Sequence, residues 1–475
     1  MGVCLRKQNT VKEENTLLCL NEGLSSTIRN VPIRSIYKLG RILGTGHFGV
    51  VKEVQVIGSE EKAAIKFILK DLVEDRINSL KQEIEILKRV DHPNIIRFFE
   101  AYEDERYIYL AMELCTGGDL LRLMTKNDHI DENKSKIILR QMLLAINHLH
   151  NNNIIHRDLK PENFLFESED DNAALKLVDF GLSSKFRNRR MSMHKAVGTV
   201  YYLAPEMIKG AYNFKCDMWS IGVIMFVMLS GKLPFWSKFD CETCHQILNG
   251  APEFIEPIWE NISQEAKNLL SHLLCMNPSD RFSASEALDH PWFNSQPKPR
   301  IVMNQFTIDA LKEYSKISAF KKEAMNILVK YLSLNEIKSM NALFSDLDEE
   351  NNGSISMKLL LNSLKNAGSS IAARNEIKEI IKSLDLDKNG KINYSEFLAA
   401  TYYSKHHIQQ EELWLTFLHF DADRKGYITR IDIERAFSRS GHALKEQDIK
   451  NIMKEFGKEP GAKIGYDEFE RLLKM

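Results

Sequence analysis

The chain has 475 residues, of which 44% are hydrophobic and 27% charged, and its formal net charge is −1. At roughly 150 residues per domain the length suggests about three domains, and the neutral balance excludes a globally electrostatic partner such as nucleic acid or an acidic lattice. Seven cysteines without regular spacing make no disulfide framework, and the longest apolar run, Ile221 to Leu229, is far shorter than the ~20 residues of a membrane span.

The opening MGVCLRKQNT lacks the apolar stretch of a secretory signal. Gly2 follows Met1, but Arg6 stands where a myristoylation signal carries Ser or Thr. Cys4, beside Arg6 and Lys7, offers a palmitoyl site next to basic charge. A single acyl chain anchors only marginally, so the second signal decides membrane association; an ordinary polar start is the alternative. Residues 1–36 read as an N-terminal extension.

From Tyr37 the pattern turns to strands, "YKLGRILGTGHFGVVKEVQVI" and then "KAAIKFIL". Gly44, Gly46 and Gly49 lie between strands rather than between a strand and a helix. That placement favours a loop covering nucleotide phosphates over a dinucleotide turn. Lys66, in "AAIK", is placed to hold the α- and β-phosphates. A helix follows from Asp75 to Arg89 and offers Glu83 or Glu85 as a carboxylate partner of Lys66. Two more strands, "IIRFFEAYE" and "YIYLAMEL", precede a mostly helical stretch to about Trp292.

Within that stretch "HRDLKPEN" is the strongest signal. Asp158 can accept the proton of a substrate hydroxyl, Lys160 can neutralise charge on a transferring phosphoryl group, and Asn163 can hold a metal ion. "DFG" supplies a second metal carboxylate, Asp179, and "APE" at 204–206 closes the intervening segment. That segment, "SSKFRNRRMSMHKAVGT", is basic and contains Ser192. Either phosphorylation of Ser192 offers charge to Arg157, or the loop is simply solvated. The run Ile221–Leu229 reads as a buried helix, and Cys241 and Cys244 as helix residues rather than a zinc site.

"NSQPKPR" (294–300) marks a boundary. Across 303–332 the apolar positions Phe306, Leu311, Tyr314, Ile317, Phe320, Ala324, Ile327, Leu328 and Tyr331 follow helical spacing, interleaved with lysines. One long basic amphipathic helix is expected, either a groove-binding element or a solvated connector. The last third repeats: loop first positions fall at Asp348, Asp385, Asp421 and Gly457, intervals of 37, 36 and 36.

A twelve-residue calcium loop supplies side-chain oxygens at positions 1, 3 and 5, a carbonyl at 7 and a bidentate carboxylate at 12, with Gly at 6. "DLDKNGKINYSE" is complete: Asp385, Asp387, Asn389, the Lys391 carbonyl and Glu396. The loop at 348 ends in Leu359, which cannot coordinate. The loop at 421 keeps Asp421, Asp423, the Tyr427 carbonyl and Asp432, but Lys425 at position 5 and the shorter Asp432 make it a weaker calcium site. The fourth loop keeps Glu468 but begins with Gly457 and carries Pro460, so it reads as a structural pairing unit.

The motifs over 37–293 resemble a protein kinase, and "HRDLKPEN" with Thr199 in "GTVYYLAPE" resembles the serine/threonine branch. Kinase domain, connecting helix and four calcium-binding repeats together resemble the calcium-dependent protein kinases of plants, ciliates and apicomplexan parasites. The resemblance implies an α+β fold. A bilobal kinase (37–293) is followed by an autoregulatory junction (294–334) and an all-α calmodulin-like domain with two EF-hand pairs (335–475). It implies ATP, Mg2+ and Ca2+ as cofactors and a cytoplasmic protein. Its partners are then protein substrates with basic residues upstream of Ser or Thr, the chain's own junction helix, and a membrane surface if the N-terminus is acylated.

By the same resemblance Leu43, Gly44, Gly46, Gly49 and Val51 line the nucleotide, and Glu83, nine residues before His92 in "HPNI", is preferred over Glu85 as the partner of Lys66. Met112 is the gatekeeper, and Glu113 and Cys115 form the hinge that reads adenine through its backbone. Asp119 and Glu162 read basic residues of the substrate, Ser192 and Thr199 are regulatory, and Glu206 pairs with Arg281. Asp217 and Trp219 match the large lobe's core. Without calcium, the junction either blocks the cleft as a pseudosubstrate or withholds a brace, and Lys316, Lys321 and Lys322 either imitate a substrate or face solvent. A catalytically dead calcium-responsive scaffold and a kinase governed by phosphorylation are the alternatives; intact Lys66, Asp158, Asn163 and Asp179 argue against the scaffold.

Overall fold

The computed structural model describes residues 28–46, 49–73, 77–185, 199–254, 257–293, 305–356, 383–385, 390–403, 408–439, 444–459 and 461–474. Strands β1 (Arg29–Asn30), β2 (Tyr37–Gly46), β3 (Gly49–Val56), β4 (Lys62–Leu69), β5 (Phe98–Glu103) and β6 (Tyr107–Met112) form one sheet, ordered β1-β5-β6-β4-β3-β2. Its neighbours are antiparallel except β1 and β5, which run parallel with Arg29 opposite Tyr102. Residues 28–36, expected within an extension, therefore pack onto this lobe, with Ile28, Ile33 and Ile36 buried. Three scattered isoleucines around a two-residue strand are too little pattern to show in a sequence. Helix α1 (Ile77–Leu87) lies against the sheet, burying Leu80, Ile84 and Leu87 at helical spacing and turning Glu83 inward.

The second lobe contains α2 (Leu120–Lys126), α3 (Glu132–Asn151) and two short ladders. These are β7 (Ile154–Ile155) with β10 (Ser184–Lys185), and β8 (Phe164–Phe166) with β9 (Leu175–Leu177). Helices α4 (Pro205–Ile208), α5 (Lys215–Ser230), α6 (Asp240–Asn249), α7 (Gln264–Leu273) and α8 (Ala284–Leu288) complete it. As its apolar run predicts, α5 is buried on all sides. It ends at Gly231, φ +73°, where a Cβ would lie 1.8 Å from the Asp128 carbonyl oxygen. Cys241 and Cys244 are free thiols on α6. No helix among the described residues is long and apolar enough to cross a membrane.

The junction is not one helix. It forms α9 (Gln305–Lys316) and α10 (Ala319–Leu328), because Ser318 Oγ accepts the Lys321 N–H at 3.2 Å and caps a new helix start. Beyond it lie α11 (Leu334–Leu347), β11 (Ser354–Ser356), β12 (Lys391–Asn393), α12 (Tyr394–Tyr403) and α13 (Gln410–Phe420). They are followed by β13 (Tyr427–Ile428), α14 (Arg430–Arg439), α15 (Glu446–Glu455), β14 (Ile464–Gly465) and α16 (Tyr466–Lys474). The loops pair two by two, with Ile355 opposite Ile392 and Ile428 opposite Ile464.

The apolar stripe of the junction is consumed by these repeats. Phe320 is fully buried, its ring 5.2 Å from Phe420, 5.1 Å from Phe456 and 6.1 Å from Phe469. The repeat domain in turn covers one face of the small lobe's sheet. Leu415 of α13 and Tyr331 join Tyr37, Val54, Ile65 and Tyr109 in a shared cluster, and the Glu411 carboxylate accepts the Glu60 N–H at 2.7 Å.

Candidate functional site

Strand register assembles the nucleotide side of the cleft. Gly44 lies opposite Val51, Val51 opposite Lys66, and Gly46 opposite Gly49, so the glycine hairpin arches beside the lysine. A Cβ at Gly49 would come within 1.7 Å of the Phe67 carbonyl oxygen, so only glycine allows that approach. Leu43 is exposed on the same hairpin. Lys66 Nζ bonds Glu83 Oε1 at 2.9 Å and Asp179 Oδ1 at 3.3 Å. Burial opposes the charge on Lys66, but the two carboxylates outweigh it and hold the ammonium well above its usual pKa. Burial likewise opposes the charge on Asp179, and Lys66 overcomes it, so this carboxyl stays below the usual range.

Met112 ends β6 opposite Ala64 and Phe98, at the back of the cleft. Glu113 is buried, its side chain 2.9 Å from Arg97 Nε and 3.2 Å from Lys176 Nζ, and its N–H donates to the Arg97 carbonyl. Among the described residues the Glu113 carbonyl and the Cys115 N–H take part in no backbone hydrogen bond, which leaves one acceptor and one donor on the segment after β6. Burial pushes the Cys115 thiol up, so it stays protonated.

The transfer side is a closed cluster. Asp158 Oδ2 accepts from Lys160 Nζ at 2.9 Å, and Asn163 Nδ2 donates to the Asp158 carbonyl at 2.7 Å. The N–H and hydroxyl of Thr199 both lie 3.2 Å from Asp158 Oδ1, and the hydroxyl is 3.3 Å from Lys160 Nζ. Thr199, expected among the regulatory residues, is thereby placed beside Asp158 and Lys160, where a phosphate would meet the Asp158 carboxylate. Asp217 fixes the loop from beneath, accepting the N–H groups of His156 at 3.0 Å and Arg157 at 2.9 Å. Arg281 and Glu206 make the implied pair, buried and bidentate at 2.6 and 3.0 Å. Asp119 caps α2, accepting the Arg122 N–H at 2.7 Å, and α2 packs on the turn that carries exposed Glu162. Gly2, Cys4 and Ser192 lie outside the described residues; Arg157 Nε donates to the Leu182 carbonyl at 2.6 Å.

The chain matches the family model of the protein kinase domain over residues 37–293 and that of the EF-hand domain pair over 337–402 and 411–474. It is 33% identical to "Calcium-dependent protein kinase 21" of Arabidopsis thaliana, over 93% of this chain and 83% of the relative. The chain belongs to the calcium-dependent protein kinases. "Calcium-dependent protein kinase 34" of the same plant is 34% identical over 93% of this chain and 85% of its own length. "Calcium-dependent protein kinase 3" of Plasmodium berghei (strain Anka) is 33% identical over 91% and 79%.

In this calcium-dependent protein kinase three of the four repeat loops are shaped by a position-1 aspartate. Asp348 Oδ2 accepts the Gly353 N–H at 2.7 Å, Asp385 Oδ2 that of Gly390 at 2.8 Å, and Asp421 Oδ2 that of Gly426 at 2.7 Å. The three glycines take φ of +78°, +80° and +80°. Lys391 and Glu396 are in place in the complete loop, and Glu396 is buried and accepts the Asn393 N–H at 2.9 Å; Asp387 and Asn389 lie outside the described residues.

Lys425 does more than the sequence suggests. It bonds the loop's own carboxylates, with Nζ 3.0 Å from Asp432 Oδ2 and 3.3 Å from Asp423 Oδ2. In the loop expected to be the weaker calcium site (Asp421, Asp423, Tyr427 and Asp432), an ammonium thus stands between the carboxylates of Asp423 and Asp432.

The sequence gives no sign of how the repeats meet the kinase. Ser395, inside the complete calcium loop, donates its N–H and hydroxyl to Asp91 at 2.8 Å each, immediately before the "HPNI" turn that follows α1. The first loop docks on α3: Asn147 Nδ2 donates to the Asn351 carbonyl at 2.6 Å, and His148 Nδ1 lies 3.0 Å from the Asn352 carbonyl. Lys322 does not face solvent. It is buried, and its Nζ donates to the Ser315 carbonyl at 3.1 Å and the Ser383 carbonyl at 2.8 Å, joining the end of α9 to the residues before Asp385.

Proposed function

We propose that the chain is a calcium-activated serine/threonine protein kinase that transfers the γ-phosphate of ATP to protein hydroxyls. Asp158 accepts the hydroxyl proton, Lys160 offsets charge on the moving phosphoryl group, and Lys66, fixed by Glu83, holds the α- and β-phosphates. The Glu113 carbonyl and Cys115 N–H read adenine. Asn163 and Asp179 fit a magnesium ion: the Asn163 amide nitrogen is tied to Asp158, leaving its oxygen as ligand, and Asp179 is a half-exposed carboxylate. That ion would neutralise phosphate charge. Thr199, holding both Asp158 and Lys160 by its hydroxyl, suits an acceptor-side role in serine/threonine transfer. Asp119 and Glu162 set the preference for upstream basic residues.

The observation that carries calcium control is the Ser395–Asp91 contact. The loop with the complete ligand set (Asp385, Asp387, Asn389, the Lys391 carbonyl and Glu396) is bonded directly to the segment behind α1, which delivers Glu83 to Lys66. Reordering that loop on ion binding acts on the position of α1. With Lys322 and Phe320 committed to the repeat domain, this arrangement favours a brace on the kinase over a pseudosubstrate in its cleft. Acylation of Gly2 and Cys4 would add a membrane surface, and mass spectrometry of the N-terminal peptide reads it.

The test is peptide phosphorylation with Mg-ATP, with calcium or with chelator. Stimulation is expected in the parent chain and is lost in Glu396→Gln but kept in Glu468→Gln. Equal activity with and without calcium would instead give control to phosphorylation, and Ser192→Ala then reads that branch.

A further inference from the structure

The C-terminal repeat pair presents two calcium-type loops, and neither fits the ion. In the third loop Lys425, at position 5, lies 3.0 and 3.1 Å from the two oxygens of Asp432 at position 12 and 3.3 Å from Asp423 at position 3. Asp432 is fully buried. In the fourth loop a different residue reaches the same place. Lys458, at position 2, bonds Glu468 Oε2 at position 12 (2.8 Å) and the Lys463 carbonyl at position 7 (2.5 Å). A carboxylate at 12 and a carbonyl at 7 are the oxygens that calcium would take. Two loops thus bring an ammonium to the oxygens that calcium would take, from unrelated loop positions.

We propose that the calcium positions of the third and fourth loops are filled by the chain's own ammonium groups, Lys425 and Lys458, so the C-terminal pair stays folded without calcium. The chemistry suits the substitution. Lys425 donates three hydrogen bonds at 3.0–3.3 Å and Lys458 two at 2.5–2.8 Å, to rings too poor in oxygens for a metal that needs six to eight. Lys425 also neutralises the buried Asp432, which would otherwise be a costly unpaired charge. Tyr427, on the ladder between the loops, has Lys463 Nζ 3.9 Å and Lys425 Nζ 5.8 Å from its ring centroid, so the cations brace the ladder as well as the loops. The Glu468 carboxyl is held down by its hydrogen bond from Lys458. The pair that grips Phe320 and reaches Glu60 through Glu411 is then a permanent clamp, and calcium acts only through the first pair.

The proposal is read by calcium binding and melting of the full chain, both independent of kinase activity. Equilibrium dialysis with radioactive calcium is expected to give one ion per chain, lost in Glu396→Gln. A site that survives in Glu396→Gln and disappears on adding Asp432→Asn or Glu468→Gln overturns the proposal. Adding Lys425→Asn, which returns an oxygen ligand to position 5, is expected to restore about one ion to the Glu396→Gln chain; no gain means that the ammonium is not what excludes calcium. In chelator, Lys425→Met with Lys458→Met is expected to lower the melting temperature by several degrees, and an unchanged melting temperature also overturns the proposal.

Discussion

Gly353→Ala tests whether the first repeat works as a docking element on the kinase. A Cβ there would lie 2.3 Å from His148 Nδ1 and 2.8 Å from His92 Cδ2, two rings whose centroids are 5.2 Å apart on the kinase surface. Gly426 has nearly the same backbone, φ +80° against +78°, with nothing within 4 Å of its Cβ position. Both substitutions therefore carry the left-handed strain of ~1–2 kcal/mol, and only Gly353→Ala adds the clash. Overpacking costs ~1–3 kcal/mol, and displacing the loop gives up the Asn147 and His148 bonds at ~1 kcal/mol each. The excess over Gly426→Ala is about 3–5 kcal/mol, or docking weakened about 150- to 5,000-fold. Hydrogen exchange in the full calcium-loaded chain should show lost protection in residues 140–150 for Gly353→Ala alone, with calcium stimulation reduced in parallel. Equal protection in the two variants would refute the reasoning, because Gly353→Ala alone places a side chain against the rings where the loop docks.

Three further outcomes follow from the site. Asp158→Asn should lower kcat for peptide phosphorylation by at least ~10² while KM for ATP stays close to the parent value, since Lys66 and Glu83 are untouched. Glu206→Gln leaves the fully buried Arg281 without its carboxylate and should cost ~3–5 kcal/mol, read by chemical denaturation. Lys322→Met removes two charge-assisted hydrogen bonds of ~1.5–3 kcal/mol each. It should leave calcium affinity within a few-fold of the parent but reduce stimulation of phosphorylation, and an unchanged stimulation ratio would remove Lys322 from the coupling path.

The cleft was legible because phosphate transfer leaves little freedom in spacing. Lys66, Glu83, Asp158, Asn163 and Asp179 stand at intervals that the chemistry dictates, and the structure brings them together. The repeat period and the complete loop were legible for the same reason. What the sequence hid is a matter of where long side chains end. Position 5 marks Lys425 as a cation among ligand positions, but nothing around Lys322 distinguishes a solvated ammonium from one buried against carbonyls. Lys458 had one signal, its place at position 2 of a loop that keeps Glu468, which becomes meaningful only once the chain's curvature is known. The break at Ser318 was readable in principle, a serine capping site inside an apolar stripe, but the uninterrupted periodicity outweighed it. Ser395 carries no ligand role, so loop chemistry alone passes over the residue that touches the kinase.

A single calcium loop sets a limit on the switch. One site that binds only the active arrangement stabilises it by about 2.7 kcal/mol at a free ion concentration of 100 Kd, roughly a hundredfold shift in population. Two such sites would give about 10⁴, the factor needed to move a population from 1:99 to 99:1. With Lys425 and Lys458 standing in for ions in the C-terminal pair, the calcium-dependent part of the switch rests on the loop ending in Glu396 and on its contact with Asp91. The parent chain should then show either measurable activity in chelator or incomplete activation at 100 Kd, with a stimulation ratio near 10² and a calcium response of unit Hill slope. A ratio beyond 10³ with a slope near two would require a second ion, and the first place to look for it would be the ring that Lys425 occupies.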